Sequence, residues 1–247
     1  MAGKHEGQVV IITGSARGIG YTMAEYLDGL GASVVIADID EEAAVAAASA
    51  LSGDTLAMGC NITDETSVAA MVDGVMAKYG RIDVLINNAG IFPVKIFSAM
   101  TFEDWKTVID IDLNGTFLVT HAVYAVMEEQ KSGKIINVAS IAGRVGGFGF
   151  THYSAAKGGV IAFTKALARE AAKLGIQVNA LAPGVVVTDM AKSNFPKYAL
   201  DEHIRVTPAG RLGKPEDLLG AVSFLSSPES DYVVGQVLTV DGGYTMV

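Results

Sequence analysis

Tyr153 and Lys157 stand four residues apart in Tyr153-Ser154-Ala155-Ala156-Lys157, and Ser140 lies thirteen residues upstream, closing the apolar run that begins at Ile135. On a helix, positions i and i+4 share a face, so this spacing sets an ammonium beside a phenol. A phenol titrates near pH 10 and is a poor proton shuttle at neutrality. A cation about 4 Å away, at an effective dielectric near 20, contributes roughly 4 kcal/mol and lowers that value by up to about three units. The phenol then becomes usable as a general acid and base. Taken alone the spacing also describes an ordinary surface pair on a helix, so the elements that carry it decide its meaning.

Those elements alternate from one end of the chain to the other. Short β-branched runs near 9–13, 33–37, 55–60, 84–87, 134–140, 177–182 and 236–240 predict strands. Ala-rich stretches of helical period lie between them, near 18–30, 41–51, 64–79, 101–129, 154–174 and 215–226. This is the pattern of βαβ units in a parallel sheet, and the strands read as continuous apolar runs because helices cover both faces. No Pro/Ser-rich linker or composition shift divides the chain, so 1–247 is expected to be one doubly wound domain.

Composition narrows the partners. Half of the 247 residues are apolar, 18% are charged, and the net charge is −9. The basic residues are scattered, which argues against nucleic acid and anionic membrane surfaces. The opening segment has neither the apolar core nor the cleavage site of a signal peptide, and no run is long enough to span a bilayer. The single cysteine, Cys60, fits a reducing cytoplasm and reads as a small buried apolar residue. The four histidines show no metal-ligand spacing, and no metal is expected.

After the first strand comes Thr13-Gly14-Ser15-Ala16-Arg17-Gly18-Ile19-Gly20, opening a helix. Its glycines allow a tight turn, close approach of backbone to a pyrophosphate and close packing of helix on strand. The second strand ends at Asp38, where a carboxylate can bind both ribose hydroxyls and repel a 2′-phosphate. NAD is therefore expected over NADP, although Arg17 in the glycine turn could assist a 2′-phosphate. Asp40 reads as a solvated residue near the next helix start.

With Asn87-Asn88-Ala89-Gly90 after the fourth strand, Asn114 in a long helix, Ser140, Tyr153, Lys157 and Pro183-Gly184, the chain resembles the short-chain dehydrogenase/reductase family in its roughly 250-residue form. The resemblance covers essentially the whole chain. It implies a Rossmann-type α/β fold with a seven-stranded parallel sheet in the order 3-2-1-4-5-6-7, and a homotetramer paired through the Tyr153 and Asn114 helices. It also implies roles. Tyr153 exchanges a proton with the substrate oxygen, Ser140 hydrogen-bonds that oxygen, Lys157 lowers the tyrosine pKa and holds the nicotinamide ribose, and Asn114 completes a water-mediated proton path through Lys157. Gly14, Arg17, Gly18, Ile19, Gly20, Asp38, Asn88, Ala89 and Gly90 would hold the dinucleotide, while Asn87 braces strands. Pro183, Gly184, Val186 and Thr188 would meet the nicotinamide end. At Cys60-Asn61-Ile62 many relatives carry Asp in place of Asn61, whose carbonyl oxygen would still accept from adenine.

The flanks of the proton donors are apolar, with Phe92, Pro93, Val94, Ile141, Val145, Phe148 and Phe150. The segment 188–207, with Met190, Phe195 and Tyr198, is expected to be a lid. Arg144 and His152 are polar candidates that equally suit loop anchoring and a position turned from the cleft. The expected substrate is a small, largely apolar secondary alcohol or its ketone. A 3-oxoacyl carrier-protein reductase is the alternative, which the chain resembles through Pro208-Ala209-Gly210-Arg211-Leu212-Gly213 and Asp241-Gly242-Gly243-Tyr244. Such reductases usually prefer NADPH and dock an acidic carrier on basic residues, against which stand Asp38 and the Glu128-Glu129 pair. A nonenzymatic dinucleotide sensor would carry a broken Ser/Tyr/Lys set, and this set is intact.

Overall fold

A computed structural model describes residues 3–246. The first half alternates strictly: β1 (Val9–Thr13), α1 (Gly18–Gly29), β2 (Ser33–Asp38), α2 (Glu41–Ala50), β3 (Thr55–Gly59), α3 (Glu65–Tyr79) and β4 (Val84–Asn87). The second half runs through α4 (Phe102–Ile109), a π-helical turn (Asp110–Asn114), α5 (Gly115–Gln130), β5 (Gly133–Val138), α6 (Ala142–Val145), α7 (Thr151–Ala171) and β6 (Ile176–Pro183). It closes with α8 (Asp189–Asn194), α9 (Lys197–Val206), α10 (Leu219–Ser226) and β7 (Val237–Val240). All seven strands join one parallel sheet in the order β3-β2-β1-β4-β5-β6-β7, as the resemblance implied.

Alternation along each strand divides the apolar side chains between two layers. Val9 and Ile11 face a cluster with Val68, Met71, Val75, Val119 and Val123 from α3 and α5. Val10 and Ile12 face the other, with Met23, Leu27, Ala44, Val222 and Leu225 from α1, α2 and α10. Burial on both faces is why the strands carry no polar stripe. Local signals fix the helix ends. Asp40 caps α2 by accepting from the Ala43 amide at 3.0 Å, so it is a capping residue rather than a merely solvated one. Thr101 and Asp104 form a reciprocal capping box at the start of α4. Gly80 ends α3 in the left-handed conformation at φ 69°.

A buried polar ladder crosses one face of the sheet. Asn87 Nδ2 donates to Thr120 Oγ1 on α5 at 2.8 Å and to Asn137 Oδ1 at 2.9 Å, and Asn137 Nδ2 donates to Thr164 Oγ1 on α7 at 2.9 Å. Asn87 thus braces strands, as expected. The continuous helix expected over 101–129 is instead interrupted by the π turn, and the segment 188–207, expected as a lid, contains α8 and α9. Among the described residues no helix is long and apolar enough to cross a membrane, and no cluster of His, Cys, Asp and Glu is arranged to hold a metal. Cys60 is buried, and burial pushes its thiol up to about 11.

Candidate active site

Strand order reverses between β1 and β4, so the loops leaving their carboxyl ends part to opposite sides and leave a crevice. Ser140 follows the end of β5 beside this crevice, and α7 carries Tyr153 and Lys157 up to it. Ser140 Oγ accepts from the Ala142 amide at 3.1 Å and is hydrogen-bonded to Tyr153. Lys157 is buried, its Nζ donating to the Val138 carbonyl at 3.0 Å and lying 5.7 Å from the centre of the Tyr153 ring. The three side chains picked out by spacing therefore do converge.

Asn114 does not join them. It is exposed, and its Nδ2 donates to Asp110 Oδ1 at 2.9 Å. Asp112 faces Lys157 instead, fully buried, with Oδ2 3.6 Å from Nζ and Oδ1 accepting from the Ile91 amide at 2.8 Å. Both residues lie within the π turn, two positions and about half a turn apart, so when one faces Lys157 the other faces away. Sequence reasoning missed Asp112. The available signal was a second acid, beside Asp110, inside an otherwise apolar stretch of helix.

Asp112 also changes the electrostatics. Burial pushes the Tyr153 phenol above its ordinary value, the Asp112 charge pushes it the same way, and the Ser140 hydrogen bond opposes them. Burial likewise raises the Asp112 carboxyl, while Lys157 and the Ile91 amide lower it. Burial, with the Asp112 charge added to it, outweighs the Ser140 hydrogen bond, while Lys157 is ion-paired with Asp112 and donates to the Val138 carbonyl. At neutral pH the phenol holds its proton.

The glycine turn is built for close backbone approach. Gly14 has φ 62°, and a Cβ there would stand 2.7 Å from Ala89 Cα; at Gly20 it would stand 2.4 Å from the Gly14 carbonyl oxygen. Gly18, at φ 61°, opens α1, and Ile19 packs on the adjacent core. No side chain caps α1, so its first amides face outward beside the exposed Arg17. Asn88 Nδ2 donates to the carbonyls of Thr13 and Gly14 at 3.0 and 2.9 Å, and the Ala89 amide donates to Thr13 Oγ1 at 3.1 Å. These residues brace the turn from β4. Gly90 leaves the space into which the Asp112 carboxylate fits.

Asp38 is buried, its Oδ2 accepting from the Ala16 amide at 3.1 Å and its Oδ1 from the Asp40 amide at 3.2 Å. Asn61 Oδ1 accepts from the amide and hydroxyl of Thr63 at 3.1 and 2.9 Å, so the oxygen assigned to adenine is already engaged, and Ile62 packs on Gly115. Pro183 ends β6, the Gly184 amide donates to the Val240 carbonyl at 3.0 Å, Val186 is buried beside Gly213, and Thr188 caps α8.

On the substrate side the Phe92 ring lies 4.7 Å from Tyr153, 5.0 Å from Phe150 and 5.2 Å from Phe195 of the 188–207 segment. Phe148 is 90% exposed and Met190 47% exposed, and neither joins this aromatic group; Val94, 42% exposed, lies against Gly149 at its edge. The aromatic wall is thus Phe92, Phe150 and Phe195. Arg144 donates from Nη2 to the Val237 carbonyl at 2.7 Å, and His152 is buried with Nδ1 accepting from the Tyr153 amide at 2.9 Å. Arg144 anchors its loop, as one of its two readings held.

A doubly wound parallel sheet whose glycine turn opens the first helix, with a half-buried phenol and a buried ammonium across the crevice, defines an oxidoreductase that uses a nicotinamide dinucleotide and acts on a CH–OH or ketone group. Comparison makes the class specific. A family model described as enoyl-(acyl carrier protein) reductase matches residues 14–245. A 3-oxoacyl-(acyl-carrier-protein) reductase of Synechocystis is 41% identical over 97% of each chain, and one of Thermotoga maritima is 43% identical over 96% of this chain and 98% of its own. One of Escherichia coli K12 is 38% identical over 98% and 99%. The chain belongs to the short-chain dehydrogenase/reductase family. These relatives overturn the expectation of NAD over NADP, because they are enzymes of an NADPH-dependent class. In this chain the Asp38 carboxylate accepts from two backbone amides, and Arg17 is exposed.

Proposed function

We propose that the protein reduces a 3-oxoacyl thioester presented on an acyl carrier protein, with NADPH as the reductant. The relatives similar over nearly their full length carry this reading, in preference to the broader one of a dehydrogenase for small secondary alcohols. The turn at Gly14, Gly18 and Gly20, braced by Asn88 and Ala89, suits a pyrophosphate, and Pro183, Gly184, Val186 and Thr188 suit the nicotinamide end. Bound there, the dinucleotide supplies a hydride. The protein's own work is proton transfer and orientation.

Tyr153 is the general acid in this reading, giving its proton to the C3 oxygen of the substrate. A phenol pushed above its ordinary value remains protonated at neutral pH, which suits reduction. Ser140 is placed to donate to the same oxygen as charge develops on it. Lys157 orients the ribose and feeds the phenol, and Phe92, Phe150 and Phe195 keep water from the reacting carbon. Glu128 and Glu129, which argued against a carrier protein, are exposed on the last turn of α5 and read as a solvated face.

The test is NADPH consumption with an acetoacetyl thioester on a carrier protein. The expected result is turnover that falls by about 10²–10⁴ in Tyr153→Phe while dinucleotide binding persists. Equal activity in that variant would sink the mechanism; oxidation of small secondary alcohols with no reduction of the thioester would restore the broader reading.

Assembly belongs to the same proposal. Phe117 on α5 lies 6.3 Å from Phe163 on α7, and Ala155, Ala162 and Ala166 of α7 are exposed around them. An apolar face of this kind supports a homotetramer paired through these helices.

A further inference from the structure

Asp112 is a buried carboxylate that the reaction does not require as donor or acceptor. Burying a charge is costly unless it is paired, and this one is held 3.6 Å from the Lys157 ammonium by the Ile91 amide on its other oxygen. It lies buried in the π turn, against Gly90, where a Cβ would stand 3.2 Å from its oxygens. We propose that Asp112 is a positioning residue that neutralises Lys157 and withholds its charge from Tyr153, setting the pH at which the phenol can act as a base. The proposal rests on the reading of Tyr153 as the proton-exchanging group.

The groups that face Asp112 are few. From α7 come Lys157 and the Tyr153 phenol, and from the loop after β4 only the uncharged Ile91 amide. Ser140, after β5, reaches the phenol and is neutral. Asp110, half a turn earlier on the same segment, is hydrogen-bonded by Asn114. Lys157 therefore divides its field between a carboxylate close at hand and a phenol further off. In the direction of reduction this keeps the phenol protonated. In the direction of alcohol oxidation it holds back the phenolate until the pH is high.

Replacing the carboxylate by a neutral group leaves the ammonium uncompensated beside the phenol, and the phenol then releases its proton more readily. The variant Asp112→Asn keeps the shape and an acceptor for the Ile91 amide, and Asp112→Ser is a second neutral replacement with a smaller side chain. The measurement is the titration of Tyr153 in the protein without dinucleotide, followed by NMR of ring-labelled tyrosine and assigned by the signal missing from Tyr153→Phe. Both neutral variants are expected to move that titration toward acid by about one pH unit or more, and the alkaline limb of alcohol oxidation should move with it. An unchanged or alkaline-shifted titration in either variant overturns the proposal, whether or not turnover survives. Loss of the proton-donor reading itself would appear separately, as activity retained in Tyr153→Phe.

Discussion

In the proposed reading, Arg17 is the cation that meets the 2′-phosphate of NADPH. Its side chain is exposed at the N-cap of α1, while each oxygen of the buried Asp38 carboxylate accepts from one backbone amide. A charge-assisted contact to a 2′-phosphate contributes about 1.5–3 kcal/mol. Arg17→Ala should therefore raise the KM for NADPH roughly tenfold or more, by steady-state kinetics, and leave the KM for NADH nearly unchanged. Faster turnover of the native protein with NADH than with NADPH would count against this assignment. Asp38 is legible in the sequence as the last residue of the second strand, but its carboxylate is not the free group that the sequence suggests. Strand pattern is written in residue types, whereas the partners of a side chain are settled only when the Ala16 turn folds back over it.

At the scale of elements, the glycine turn and the π turn behave differently as sequence signals. The turn is legible because each glycine answers a local demand, a positive φ at Gly14 and Gly18 and close backbone contact at Gly14 and Gly20. Gly14→Ala places a Cβ 2.7 Å from Ala89 Cα in a left-handed conformation. The conformation alone costs roughly 1–2 kcal/mol, and the clash must shift the Asn88 brace as well. A lowered thermal midpoint and weakened dinucleotide binding by fluorescence titration are expected; a variant that binds as the native protein does would show that the turn is not the cradle. The π turn leaves no comparable mark. Asp110, Asp112 and Asn114 are all polar and lie within five residues, and only packing makes them half-buried, buried and exposed in turn. The seven strands and the Ser140, Tyr153 and Lys157 set are legible for the opposite reason: burial on both faces and i, i+4 proximity are local consequences of residue type. The aromatic wall is legible as a set of candidates, since the sequence offers Phe92, Phe148, Phe150 and Phe195, but only packing separates the exposed Phe148 from the three that meet.

Across the whole molecule, the outward faces of α5 and α7 should decide assembly. Phe163→Glu introduces a charge beside Phe117 without touching the buried face of α7 that carries Lys157. Light scattering should give a tetramer for the native protein and a smaller species for the variant; a native protein that is monomeric at low concentration would refute the assembly. The polar ladder sets a different kind of limit. Asn87 and Asn137 find partners on α5 and α7 at once, so either helix that rotated by one residue would leave a buried amide unpaired, at about 1–3 kcal/mol each. The helices that bring up Asp112 and Tyr153 are thus locked to one angular setting, while α8 and α9 are held by no such ladder among the described residues. Changes in 188–207 can then reshape the part of the substrate wall that Phe195 supplies, with the proton machinery inherited unchanged, so that the chemistry and this share of the specificity can diverge at separate rates.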